Sequence, residues 1–222
     1  MTIWGDASFW ADTFPEDLVP EILDLVLEAW GSFPQPARDA HEVPTTRAFR
    51  QVLIRNKLLR RLPLRIEREV PEDDSAGAAE LGRIDLKLFP AGSAREEVYF
   101  AFECKRLNAV IGDRCRSLAS EYVTKGMMRF VTEQYSNTQK HGGMIGYVLD
   151  GNITRAITRI GRNLRTRQAE LCLPPSKGLD ESSLLPSRRE LRETRHQLST
   201  KVFHIHHVFL GKNTVCAAMP GP

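Results

Sequence analysis

The chain is predicted to be an α/β protein, a mixed sheet flanked by helices that begins with a three-strand antiparallel meander. Three observations carry this. GRIDLKLF (82–89) and VYFAFECKRL (98–107) are apolar, strand-like runs joined by a short connection containing Gly92, the pattern of a hairpin. Segments with helical spacing stand before and after them. From residue 142 onward, strand-like and helix-like segments alternate, which calls for a sheet with helical crossovers.

Taken in order, PEDLVPEILDLVLEAW (15–30) places apolar residues at 18, 22, 25, 26 and 29, one face of an amphipathic helix despite Pro20. GSFPQPARDAHEVP reads as a Pro-rich linker. A helix then starts at Thr45 or Thr46 and runs through TTRAFRQVLIRNKLLRR. LPLRIEREV (62–70) alternates as a strand, and EDDSAGAAELG is a turn region. In the hairpin, Ile84, Leu86 and Leu88 should share one face and Asp85 and Lys87 the other, because strand side chains alternate. Residues 113–135 are expected to form a helix containing Gly126, and GGMIGYVLDG (142–151) a buried strand. NITRAITRIGRNLRTRQAE follows as a helix capped by Asn152. SRRELRETRHQL suggests another helix, and KVFHIHHVFL (201–210) a final strand.

The composition sets bounds. With 222 residues, 41% of them hydrophobic, the chain suffices for one well-packed domain. Cys104, Cys115, Cys172 and Cys216 show no CxxC pair, so neither a disulfide framework nor a zinc knuckle is indicated. The start MTIWGDASFWADTF has no basic segment followed by an apolar core, and no apolar run reaches membrane-spanning length. A cytoplasmic protein without membrane association is expected. The net charge of +3 conceals an asymmetry. Residues 1–42 carry nine acids against Arg38 alone, a net of −8, which leaves 30 bases and 19 acids, a net of +11, on residues 43–222. The division is read as an acidic helical extension (1–42) and a domain (43–222) whose basic character suits a polyanion. The acidic front either covers basic surface or docks on a partner protein.

The charged residues of the central hairpin are the candidates for chemistry. Its loop is centred near residue 94, so Asp85 and Glu103, each nine residues away, lie across from one another. Lys105 shares the face of Glu103, which brings an acid pair and a base together at the tip of an apolar strand. Opposed carboxylates repel unless a cation stands between them, and oxygen donors suit Mg²⁺ or Mn²⁺. A solvated cross-strand ion pair is the plainer alternative, and such pairs add little stability.

An Asp at one strand followed by Glu-x-Lys in the neighbouring apolar strand, here Asp85 in GRID and Glu103 and Lys105 in FECK, resembles the PD-(D/E)xK nuclease superfamily. The likeness spans roughly residues 42–150, with Ile84 where the motif often has proline. It implies a restriction-endonuclease-like sheet and Mg²⁺- or Mn²⁺-dependent hydrolysis of phosphodiesters, in DNA by family habit with RNA left open. By the same likeness Asp85, Glu103 and the carbonyl of Cys104 would hold the metal, and Lys105 would orient the water, assist its deprotonation or stabilise phosphate charge. A further acid would come from Glu42 ahead of the second helix or from Glu67 or Glu69 in the first strand. The family's use in phage defence and restriction gives the expected context. The alternative is a catalytically silent nucleic-acid-binding or scaffold subunit working with an ATPase or helicase, and a homo-oligomer is compatible with either.

Other features are secondary. The likeness also directs attention to the helix after the Glu-x-Lys strand, expected to carry Arg116, Lys125 and Arg129; Lys125 and Arg129 lie four apart, candidates for phosphate contact or a solvated basic face. Arg155, Arg159 and Arg162 stand opposite the stripe Ile153, Ile157, Ile160 and Leu164, so they face outward and suit phosphates. HIHH (204–207) has no Cys or acid at a spacing that would complete a zinc set. Neither GxGxxG at a strand–helix turn, GxxxxGK[ST] nor GxSxG is present.

Overall fold

The computed structural model of the chain describes residues 13–73, 80–93, 95–112, 114–135 and 138–212. Two helices come first, α1 (Leu18–Ser32) and α2 (Glu42–Leu59). Pro20 and Pro44 both fall in the first turn of their helix, where a backbone N–H has no intrahelical acceptor, so the missing donor costs nothing. The strands β1 (Leu64–Asp73), β2 (Glu80–Pro90) and β3 (Phe100–Leu107) form the antiparallel meander. A small hairpin, β4 (Ala109–Ile111) and β5 (Arg114–Arg116), leads into α3 (Ala119–Glu121), which continues through a π-helical segment (Tyr122–Met127) into α4 (Met128–Val131). Then follow β6 (His141–Val148), α5 (Ile153–Thr166), β7 (Asp180–Glu181), β8 (Leu191–Gln197) and β9 (Val202–Leu210).

The described residues build a seven-stranded sheet ordered β1-β2-β3-β6-β9-β8-β7. It is mixed: β3, β6 and β9 run parallel, and the strands on either side are antiparallel. Apolar side chains cover both faces. Val19, Ile22, Leu23 and Val26 of α1 and Phe49 and Leu53 of α2 pack with Leu86, Leu88, Phe100 and Phe102 on one side. Tyr122, Val123, Met127, Phe130, Ala156, Ile160 and Leu164 pack with Ala101, Met144, Phe203 and Phe209 on the other. The α1 helix thus shares the core of the sheet, and its acids meet bases of the body. Arg60 contacts Glu21 at 3.1 Å and Asp24 at 3.4 Å, and Arg188 reaches Asp24 at 2.5 Å.

Asn152 caps α5 as expected, its side chain accepting the N–H of Arg155 at 2.9 Å. Four expectations are corrected. α2 starts at Glu42, not at Thr45 or Thr46, so its first turn takes in the end of the expected linker. Residues 114–116 are a strand, so Arg116 belongs to a hairpin and the helix starts only at Ala119, after Leu118 takes a left-handed φ of 56°. The helix expected at SRRELRETRHQL is β8, whose LRETRHQ pairs along its length with β9; tertiary pairing outweighs helix-forming composition there. Ile84 does not share the face of Leu86 and Leu88. It belongs to the core on the opposite side of the sheet, the one that holds Tyr122 and Met127, because the alternation breaks at Asp85. On β1, Glu69 faces this break with a left-handed φ of 51° and is skipped by the β1–β2 pairing. No helix among the described residues is long and apolar enough to cross a membrane.

Candidate active site

The break at Asp85 opens the site. β2 and β3 pair as Leu88↔Phe100, Lys87↔Ala101 and Leu86↔Phe102, the register in which Asp85 would next face Glu103. The ladder ends there, and the carboxylate of Asp85 accepts the N–H of Cys104 at 2.7 Å. A side-chain oxygen has replaced a strand carbonyl, and β2 and β3 part in a fork at Glu103, which stays buried.

Lys105 lies at the centre of that fork. Its ammonium donates to Glu103 Oε1 at 2.6 Å, to the Cys104 carbonyl at 2.9 Å and to Glu42 Oε1 at 3.1 Å. The other oxygen of Glu42 accepts the N–H of Arg106 at 3.2 Å. Glu42 is the first residue of α2, where the helix dipole favours an acid, so the start of that helix is attached to the tip of β3. On the far side Arg129 of α4 reaches Glu103 Oε2 at 3.4 Å. Its guanidinium is held by the Arg83 carbonyl at 3.2 Å and by the hydroxyl of Tyr135. Gly126 lets the π-helical segment approach this strand: a Cβ there would stand 2.4 Å from Met144 Cε and 3.5 Å from Lys105 Cγ.

Burial sets the electrostatics. Glu103 is only 1% exposed, and desolvation together with the neighbouring charge of Asp85 pushes its pKa up to about 7, against the pull of Lys105 and Arg129. Asp85 is also raised, by burial first, with Lys105 and the Cys104 N–H opposing. Burial would lower the Lys105 pKa, but Glu103, Glu42 and Asp85 outweigh it and the ammonium is held more firmly than usual. Lys105 is therefore a fixed positive charge and a hydrogen-bond donor, not a proton acceptor.

Of the expected residues, Asp85, Glu103, Lys105, the Cys104 carbonyl, Glu42 and Arg129 come together. Glu67 and Glu69 do not join this network; they pair with Arg65 and Arg68 respectively. Lys125 also stands apart, exposed and paired with Glu121 at 3.4 Å. It and Arg129 were expected on one face, but the wider π turn between them breaks the four-residue spacing. Arg155 contacts Asp150 at 3.9 Å, and Arg162 is exposed on α5. Tyr135 went unnoticed in the sequence, where nothing marks an aromatic residue six positions past Arg129.

As a metal centre the site has the right donors, carboxylates of Asp85, Glu103 and Glu42 plus a backbone carbonyl, all hard oxygen. The charge of Asp85 raises the pKa of Glu103 and that of Glu42 raises the pKa of Asp85, as neighbouring carboxylates should. Among the described residues no three His, Cys, Asp or Glu side chains are gathered closely enough to hold an ion; here the oxygens converge on the Lys105 ammonium. No family model, curated protein or solved structure matches the chain.

Proposed function

We propose that the protein is a metal-dependent phosphodiesterase of the PD-(D/E)xK type acting on nucleic acid, with DNA as the preferred substrate. The observation that carries this reading is the convergence of Asp85, Glu103, Glu42 and Lys105 where β2 parts from β3. A stability-driven fold has little reason to bury acids there at raised pKa.

A bound Mg²⁺ or Mn²⁺ would supply Lewis-acid stabilisation of charge on the phosphate and a more acidic water. Asp85, Glu103 and the Cys104 carbonyl are the residues to hold it, with Glu42 as the further acid. Lys105, kept protonated by its neighbours, donates to the attacking water or to a phosphate oxygen and stabilises negative charge as it develops. Arg129, fixed by Tyr135 and the Arg83 carbonyl, offers a second preorganised cation beside Glu103. Arg155, Arg159 and Arg162 on α5 and Lys125 would contact backbone phosphates away from the reacting one. A phage-defence or restriction role in the cytoplasm suits such an activity.

One observation favours the alternative of a silent binding or scaffold module. The Lys105 ammonium already neutralises Glu103 and Glu42 and occupies the Cys104 carbonyl. Cleavage of plasmid and linear DNA with Mn²⁺ or Mg²⁺ separates the two readings. Cleavage lost in Asp85→Ala and Lys105→Ala supports the nuclease, whereas a wild type that binds DNA but leaves it intact supports the module.

A further inference from the structure

The β4–β5 hairpin begins four residues beyond Lys105, at most about 14 Å of chain away. Its base is fixed to the end of the sheet where the candidate site lies. Val110 N–H donates to the Arg38 carbonyl at 2.9 Å, ahead of α2, and Asn108 bonds Ser117 through its backbone and Asp150 through its side chain at 3.0 Å. Asp150 also contacts Arg155, the first arginine of α5. The tip points away from this clamp: Ile111 is 49% exposed, and Arg114, paired across from it, is exposed, as is Arg116.

Beside α1, two bases are held by carboxylates. There Arg60 and Arg188 are occupied by Glu21 and Asp24. Among the described residues Arg114 and Arg116 have no carboxylate partner, nor do Arg159, Arg162 and Arg165 of α5 or Arg47 and Arg55 of α2. Near the hairpin Glu121 and Asp150 are engaged by Lys125 and by Asn108 and Arg155, while Asp39 is unpaired among the described residues. Unneutralised guanidiniums beside the exposed Ile111 fit a polyanion whose surface also takes an apolar group. Duplex DNA has both properties, since wedge side chains enter its minor groove between base steps while arginines hold the phosphates. Single strands are usually held by exposed aromatic platforms. The exposed large hydrophobic side chains among the described residues are Val43, Leu58, Leu59, Ile111, Leu184 and Val202, none of them aromatic.

We infer that the β4–β5 hairpin is a docking arm for duplex DNA, with Arg114 and Arg116 on backbone phosphates and Ile111 in the groove. The inference refines the phosphodiesterase reading and rests on it for its biological sense. Ile111 is six residues beyond Lys105, at most about 22 Å of chain, so the arm presents the backbone to the site within about one helical turn.

The test measures fluorescence anisotropy of a labelled 24-base-pair DNA duplex, the matching single strand and the matching RNA duplex. Full-length protein, Arg114→Ala/Arg116→Ala and Ile111→Ser are titrated without divalent ions over a range of salt. The double variant is expected to bind the DNA duplex more weakly, with the slope of log K against log[salt] reduced by about 2. Ile111→Ser is expected to weaken duplex binding about ten-fold at an unchanged slope. Unchanged affinity and slope in both variants, or arm-dependent binding that favours the single strand or the RNA duplex, overturns the inference. Metal-dependent cleavage by wild type and Asp85→Ala is scored separately. Cleavage without arm dependence refutes the arm alone, and arm-dependent binding without cleavage refutes only the nuclease reading.

Discussion

Replacing Glu103 by glutamine should make the metal-free protein more stable. The carboxyl has an ordinary pKa near 4.5 when unfolded and about 7 when folded, so the folded chain holds its proton more tightly between those values. A raised acid pKa makes stability fall as pH rises through that window, with the full cost present above pH 7. Two and a half pH units correspond to about 3 kcal/mol. Glutamine removes that cost, although its NH₂ must face either Lys105 or Arg129, so about 3 kcal/mol is the ceiling. Urea unfolding of both proteins at pH 8.0, 6.0 and 4.5 without divalent ions measures it. With a denaturant slope of about 2 kcal/mol/M, the midpoint of Glu103→Gln should lie about 1 M higher at pH 8 and coincide with wild type at pH 4.5. A variant less stable than wild type at pH 8, or a difference independent of pH, would refute the account of an acid retained against stability. The same variant should lose cleavage, a trade between stability and activity of the kind expected at functional sites.

Lys105→Met removes the cation on which Glu103 and Glu42 converge. It should cost roughly 3 kcal/mol at pH 8, and Mn²⁺ should raise its melting temperature more than it raises that of wild type; a melting curve blind to Mn²⁺ argues against a metal site. Burial lowers the pKa of His196 to about 4 and of His206 to about 3. Their neutral forms support the fold above pH 6.5 and lose that support as pH falls, about 1.4 kcal/mol each by pH 5.5; urea unfolding at pH 7.5 and 5.5 in Glu103→Gln reads this without the opposing titration. Gly143→Ala would set a Cβ 2.2 Å from the Phe102 ring and should cost about 2 kcal/mol. Gly161→Ala, inside α5 with open space around its Cβ, should gain up to about 1 kcal/mol. Thermal melts compare that pair.

The meander and the core of the site were legible because they depend on local rules. Loop centring set Asp85 across from Glu103, the register that the sheet keeps as far as Leu86↔Phe102 before the ladder ends, and alternation placed Glu103 and Lys105 on one face. Where the backbone leaves the rule, the reading failed. Asp85 substitutes its carboxylate for a ladder carbonyl, and that exchange turns Ile84 to the opposite face. Glu42 could be narrowed no further than three acids, because its choice over Glu67 and Glu69 depends on how α2 lies across the tip of β3. Lys125 and Arg129 were separated by a π turn that no spacing announces. β8 illustrates the other failure: RRELRETRHQL is a good helix former, and only the strand edge offered by β9 makes it a strand.

The charge asymmetry of the sequence acquires a different meaning in three dimensions. Counted along the chain, an acidic front precedes a basic body, which suggests an appendage that masks or recruits. In the fold, most described acids of that front are spent locally, Glu21, Asp24 and Glu28 on Arg60 and Arg188, Glu16 on Lys140 and Glu42 on Lys105, while Asp17 and Asp39 have no basic partner among the described residues. This neutralises Arg60 and Arg188 beside α1, whereas among the described residues Arg114 and Arg116 of β5 and Arg159, Arg162 and Arg165 of α5 keep no carboxylate partner. The front thereby leaves a positive surface on the flank formed by β5 and α5, as it does at Arg47 and Arg55 of α2. A polyanion approaching such a particle is steered toward that flank by the field of the whole molecule. Charge reversal at Asp24, far from the fork, should therefore change DNA affinity less than charge reversal at Arg114.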